Sequence, residues 1–315
     1  MTELIYPISA ALLLYLVVIP GLTLGARGLL RRAKTDDDIQ GWGSAWIWTL
    51  IVAPSLLPLL WWTFDAFHQI GGHHTLDACL TPHADGGCAE SFIFAILVLT
   101  PAIFHLIRTR VHWPTGTRWM AIDDRVKDLR VFLVDDTSDP ISTRGFFVPW
   151  IGLRADALAI LGHEELVMAL LHEGEHIRGL DPLRRWLAGL ALALNPTAGL
   201  LRPYFSKWEL GREATCDLQA ASKGDRFALA HALVRVARLN LMPPSHVANL
   251  VGRPTSLTLR VSILIHDVLP ELQHSSHGAS FTFLAANALA IQLLVHFGMH
   301  ELHQWSEGLF SLIFN

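Results

Sequence analysis

The sequence predicts a mainly α-helical, multi-pass membrane protein with four transmembrane helices and one large inner segment that holds a small β-hairpin or sheet. Three observations carry that expectation. Of 315 residues, 51% are apolar and 17% are charged, against about 25% charged in a typical soluble domain; the mean hydropathy is +0.37. Four apolar runs approach the length that crosses a bilayer. Basic residues are confined to alternate connections. The composition excludes a disordered or collagen-like chain. A net charge of -4 leaves no basic footprint, so no nucleic acid is expected as a partner. Three cysteines are too few for a disulfide scaffold or a four-cysteine zinc site.

The first region, residues 1–107, is expected to hold three spans, at about 4–24, 42–62 and 91–107. The first run, Leu4 to Leu24, is long enough to cross ~30 Å of hydrocarbon at 1.5 Å per residue. Its N-terminus has Glu3 and no Lys or Arg, which disfavours a cleaved signal peptide. The second has Trp42, Trp46 and Trp48 near one end and Trp61 and Trp62 at the other, like an interfacial belt. Arg108 and Arg110 close the third. A fourth run, Phe281 to Phe297, lies within the last region, 281–315. The first loop carries Arg27, Arg31, Arg32 and Lys34, whereas the loop 63–90 and the tail 298–315 carry no Lys or Arg. Positive residues stay on the cytoplasmic side, so both termini are expected outside and the segment 108–280 inside. The lipid bilayer is thus an expected partner. Asn287 and Gln292 in the fourth run suit helix contacts within the bundle, with a homodimer seam as the other use.

The outer loop holds Cys79 and Cys88 around Gly86-Gly87, a candidate disulfide if that side is oxidising. Its His68, His73, His74 and His83 read as solvated loop residues rather than a metal sensor. In the inner segment, Leu129 to Asp135 and Gly145 to Ile151 read as strands, separated by a turn-rich stretch, Asp136 to Arg144. The remainder reads as helix. Trp186 to Leu201 resembles a fifth span, but Asn195-Pro196 breaks it, so a bent helical hairpin is expected there.

The chemistry concentrates at Leu171-His172-Glu173-Gly174-Glu175-His176. Histidines at i and i+4 lie about 40° apart on a helix, so both imidazoles can reach one Zn2+ at roughly 2.0–2.1 Å. Glu173 is placed to touch a water on that ion, the role of general base in the H-E-x-x-H pattern. A catalytic zinc takes three protein ligands and keeps an open position. Arg212-Glu213-Ala214-Thr215-Cys216-Asp217 offers Glu213 as the third ligand. Asp217, one turn on, can hold the other ring N–H of a ligand histidine. Cys216 reads as a small core residue rather than a soft ligand. His231 and Arg260 are candidate donors to the oxyanion of peptide hydrolysis. Because His172 and Glu213 must meet at one ion, an odd number of membrane crossings between them is forbidden.

The run from Leu170 to Arg178, then Asp181-Pro182-Leu183, Asn195-Pro196 and Arg212 to Asp217, resembles in order and spacing the BlaR/MecR-type integral-membrane zinc metallopeptidases, which are gluzincins. Phe146 to Leu153 resembles the strand before their zinc helix. The resemblance covers roughly residues 90 to 265. It implies one Zn2+ held by His172, His176 and Glu213, Glu173 as general base, and Asp217 beside the ligands. It also implies a bacterial inner-membrane endopeptidase with a cytoplasmic catalytic domain, cutting a cytoplasmic or membrane-proximal protein or peptide in regulated proteolysis. Two features depart from the pattern: Gly174 lies inside a helix, and only residues 298–315 follow the last span, so β-lactam sensing by this chain alone is not expected. The rival readings are a catalytically silent membrane transducer or scaffold, which needs no open zinc site, and a transporter, which lacks an acidic residue midway in the spans.

Overall fold

A computed structural model describes residues 14–33, 42–72, 100, 103–105, 107, 117–119, 123–135, 139–241 and 254–266, with backbone alone for 14, 32, 33, 61–72, 240, 241 and 254–256. Two helices come first, α1 (Ile19–Ala33) after a π-helical turn (Leu14–Val18), and α2 (Ala45–Gly72). Four short strands follow, β1 (Arg118–Trp119), β2 (Val131–Val134), β3 (Ile141–Arg144) and β4 (Trp150–Arg154). The chain then turns helical: α3 (Ala155–Ile160), α4 (His163–Arg178), α5 (Asp181–Ala193), a 3-10 turn (Ala198–Leu200), α6 (Arg202–Ala221), α7 (Arg226–Leu241) and α8 (Pro254–Ile265). The order in the sheet is β1-β2-β4-β3. β2 and β4 run parallel, while β1 and β3 flank them antiparallel.

The four-pass fold and the inner-membrane localisation are overturned: among the described residues, no helix is long and apolar enough to cross a membrane. Of the first expected span only residues 14–24 are described; there a π-turn runs into α1, which continues through Arg27, Arg31 and Arg32. The second falls in α2, which has Pro54 and Pro58 inside. Its apolar residues Ile47, Leu50 and Ile51 join a protein core with Leu30, Leu201 and Trp208. Two tryptophans of the expected interfacial belt are also packed on protein. Trp42 is buried against Tyr204 and under the Lys207 ammonium, and Trp48 Nε1 donates to the Arg184 carbonyl at 3.0 Å. Apolar runs report burial, and a helix buried in protein has the same signature as one buried in lipid. Most of 91–107, all of 281–315, and Cys79 and Cys88 lie outside the described residues.

The strands also shift from their expected places. β3 occupies the stretch read as a turn, and Gly145 to Pro149 forms the loop to β4. Gly145 takes a φ of +82°, where a Cβ would sit 2.7 Å from the Val148 carbonyl oxygen, so glycine is required there. The Trp186 to Leu201 stretch is a helix and a turn, as its Asn-Pro break suggests. Ahead of that turn, buried Asn195 accepts from Thr197 N–H at 2.8 Å and donates to Thr23 Oγ1 at 3.0 Å.

α4 is the central helix. Leu166 to His172 are all buried, and its core joins Val131, Ile151 and Leu153 of the sheet to Leu229 of α7. A helix buried nearly all round can carry polar groups only where they meet partners.

Candidate metal centre

α4 brings His172 and His176 to one face and α6 brings Glu213 opposite them. His172 Nε2 and His176 Nε2 are 3.2 Å apart. Glu213 Oε2 is 3.5 Å from His172 Nε2, and Glu213 Oε1 is 3.5 Å from His176 Nε2. Zinc bound tetrahedrally at 2.0–2.2 Å separates its ligand atoms by about 3.3–3.6 Å. The three expected ligands therefore already stand at the spacing that such an ion imposes.

The second ring nitrogens explain why an ion suits this site. His176 Nδ1 is 2.7 Å from Asp181 Oδ2, and His172 Nδ1 is 2.9 Å from Asp217 Oδ1. His176 Nδ1 hydrogen-bonds Asp181, whereas His172 Nδ1 lies close to Asp217 without an aligned hydrogen bond; a proton on each Nδ1 would leave both Nε2 atoms as lone pairs facing each other and a third carboxylate. Arg185 and Arg260 offset the Glu213 charge from outside, while the two facing ring nitrogens still call for a cation, a proton or a metal, between them. Burial pushes both imidazole pKa values down, but the surrounding carboxylates outweigh it. Asp217 and Glu213 raise His172, and Glu213 and Asp181 raise His176 well above its ordinary value. Burial would raise Glu213, yet His176, His172 and Arg260 hold it well below the usual carboxylate range.

Asp217 thus stands where the E-x-x-x-D spacing put it. Asp181 was not singled out by spacing, although it lies in the quoted Asp-Pro-Leu run. The backbone explains how it reaches the site. Leu180 adopts a left-handed conformation with φ 53°, which ends α4 and turns Asp181, the first residue of α5, back onto His176. Arg212 locks this carboxylate, with Nε at 3.0 and 3.1 Å from its two oxygens. The signal was a buried-type acid just past the second histidine, followed by a proline at the start of a helix.

His176, Asp181 and Cys216 also lie within metal-binding reach of one another. Arg212 saturates Asp181 and lies 3.7 Å from Cys216 Sγ, so a guanidinium already fills the cation position. This second cluster supports His176 and is no separate centre.

Arg260 faces the metal ligands from α8. Its Nε is 2.6 Å from Asp217 Oδ2 and its Nη1 is 3.1 Å from Glu213 Oε2. It compensates two buried carboxylates and so holds the ligand set, a different task from the oxyanion donor expected of it. His231 lies elsewhere: it is three-quarters exposed, 3.9 Å from Glu165, a residue about 10 Å along α4 from His172. Arg185, unremarked in the sequence, reaches Glu213 Oε1 at 2.5 Å from α5.

Glu173 reaches β3, where Thr143 donates to its Oε2 at 2.6 Å. At the next position, Gly174, a Cβ would meet only the Leu129 side chain, at 3.3 Å and beyond. Compared with protein-family models, curated proteins and solved structures, the chain matches none of them.

Proposed function

We propose that this chain is a zinc-dependent endopeptidase that hydrolyses peptide bonds of a protein or peptide substrate. One observation carries the proposal: two imidazoles and a carboxylate converge at tetrahedral spacing, with the far nitrogen of each ring against its own aspartate. Three protein ligands leave a position open, which is the catalytic rather than the structural arrangement of zinc. Bound there, the metal would acidify a water to a pKa of about 7 and polarise the scissile carbonyl.

The remaining roles fall to the chain's own residues. Glu173 neighbours the first ligand, accepts the proton of the attacking water and returns it to the leaving amine. Asp181 and Asp217 keep the ligand rings in one tautomer and orientation. The outer edge of β3 is unpaired among the described residues and lies beside α4 at Glu173. An extended peptide can add there as a strand. The open positions of that edge are Ile141 and Thr143.

The test is to load the purified chain with zinc, offer it a peptide library read by mass spectrometry, and repeat with Glu173→Gln. The expected result is one zinc per chain in both proteins. Cleavage by the native chain should fall by about 10²- to 10⁴-fold in the variant. Equal cleavage by the two proteins would remove Glu173 as the base. Zinc in both with cleavage in neither would favour the catalytically silent scaffold.

A further inference from the structure

We propose that Thr143 is a positioning residue for Glu173 and that it couples docking of an extended peptide to alignment of the base. The inference rests on the peptidase reading above and adds a link between its substrate edge and its proton acceptor.

Among the described residues β3 is the last strand of its sheet, and its register against β4 sets Ile141, Ser142, Thr143 and Arg144 opposite Leu153, Gly152, Ile151 and Trp150. One more bond fixes which backbone groups face outward: Arg154 N–H donates to the Pro140 carbonyl at 2.9 Å. In an antiparallel pair the bonded positions alternate. Pro140 is therefore bonded toward β4, as are Ser142 and Arg144 two and four residues on. Ile141 and Thr143 turn their N–H and C=O to the open edge. An added strand would bond to Thr143 itself.

The side chain of this residue holds the base. Thr143 Oγ1 is 2.6 Å from Glu173 Oε2 and 3.1 Å from the Glu173 carbonyl oxygen. A hydroxyl has one proton to give, and the shorter, charge-assisted contact to the carboxylate takes the larger share of it. A glutamate on a helix face has three side-chain torsions, and this bond selects among them. One residue thus presents its backbone to the substrate and its hydroxyl to the catalytic carboxylate. A peptide bonded along β3 fixes the strand, and the strand fixes Glu173. A strap that merely ties β3 to α4 would affect stability alone, and the experiment separates the two roles.

The zinc-loaded full chain is compared with Thr143→Val, Thr143→Ser and Glu173→Gln on the fastest-cleaved library peptide. Zinc content, melting temperature and affinity for a peptide hydroxamate are measured beside kcat and KM; a hydroxamate shares its acidic proton with the neighbouring glutamate. In Thr143→Val we expect kcat to fall about 10- to 100-fold, the scale of a misplaced catalytic group, with KM within about twofold. Hydroxamate affinity should fall by about tenfold, zinc content should be unchanged, and Thr143→Ser should restore most of both losses. If valine does not fold, Thr143→Ala reads the same loss. Native kcat and hydroxamate affinity in the variant would overturn the proposal, as would equal losses in valine and serine or a loss that tracks zinc content. A native chain no more active than Glu173→Gln would instead strike the peptidase reading.

Discussion

Asp181 accepts from His176 Nδ1 at 2.7 Å while Arg212 Nε bonds both of its oxygens, so one buried carboxylate is shared between a metal-ligand ring and a guanidinium. Asp217 is held by Arg260 in a comparable way and lies 2.9 Å from His172 Nδ1, without an aligned hydrogen bond to it. Outer partners of this kind typically carry 10- to 100-fold in metal affinity. Asp181→Asn and Asp217→Asn should each weaken zinc binding by about that factor, measured by competition with a chelating dye. Asparagine can place its amide N–H against the ring and force the proton to the other nitrogen, the one that must face the metal. A zinc affinity unchanged in both variants would refute the tautomer assignment.

The raised imidazoles set a pH dependence for the metal-free protein. His172 and His176 have higher pKa values folded than unfolded. Their contribution to stability is fully present below about pH 6.5, the ordinary histidine value, and is lost as pH rises through the folded values. Glu213, Asp181 and Asp217 are lowered by folding. Their contribution is present above about pH 4 and fades as pH falls through their folded values. Chelator-treated protein should therefore melt highest in mild acid and lose stability toward pH 8. Zinc replaces the ring protons, so the rise in melting temperature on adding zinc should be small near pH 5.5 and larger at pH 8. A zinc-induced rise that does not grow with pH would contradict this linkage.

Arg260 supplies a further prediction. Its side chain is 14% exposed and meets Asp217, which is 1% exposed, and Glu213. Removing one partner of a buried ion pair costs about 3–5 kcal/mol because a charge is left uncompensated. Arg260→Met should destabilise the metal-free protein by about that amount in urea unfolding. Zinc should recover part of the loss, since a dication also neutralises Glu213. A loss below about 1 kcal/mol would mean that water already solvates these carboxylates.

The site was more legible in the sequence than the fold. His172, Glu173 and His176 follow from helical periodicity, and Glu213 with Asp217 from the same period on a second helix. Asp181 and Arg212 escaped because their contact depends on the left-handed Leu180 turn, which no spacing rule encodes. The membrane expectation failed for a different reason. Ile47, Leu50 and Ile51 are apolar because they pack on Leu30 and Trp208, and hydropathy does not name the neighbour. β3 was hidden because Ile141-Ser142-Thr143-Arg144 is a short, mostly polar edge strand after Asp139-Pro140, which reads as a turn.

Gly179 tests how closely the ligand shell is packed. It follows the last residue of α4, and its φ of -74° is open to any residue, so only space argues for glycine. A Cβ there would lie 2.4 Å from Arg212 Nη2 and 3.0 Å from Asp181 Oδ1. Alanine would push the guanidinium off the aspartate and loosen His176 through it. Gly174 is the contrasting case: its Cβ would meet only the flexible end of Leu129, at 3.3 Å and beyond. Alanine there also gains about 1 kcal/mol of helix propensity, which offsets the tighter contact. Gly179→Ala should therefore lower both the melting temperature and zinc affinity, the latter toward the level of Asp181→Asn. Gly174→Ala should leave zinc affinity within about twofold and stability within about 1 kcal/mol. Chelator competition and thermal melts on the two variants would decide it. Unperturbed zinc binding in Gly179→Ala would show that Arg212 does not hold Asp181 in place.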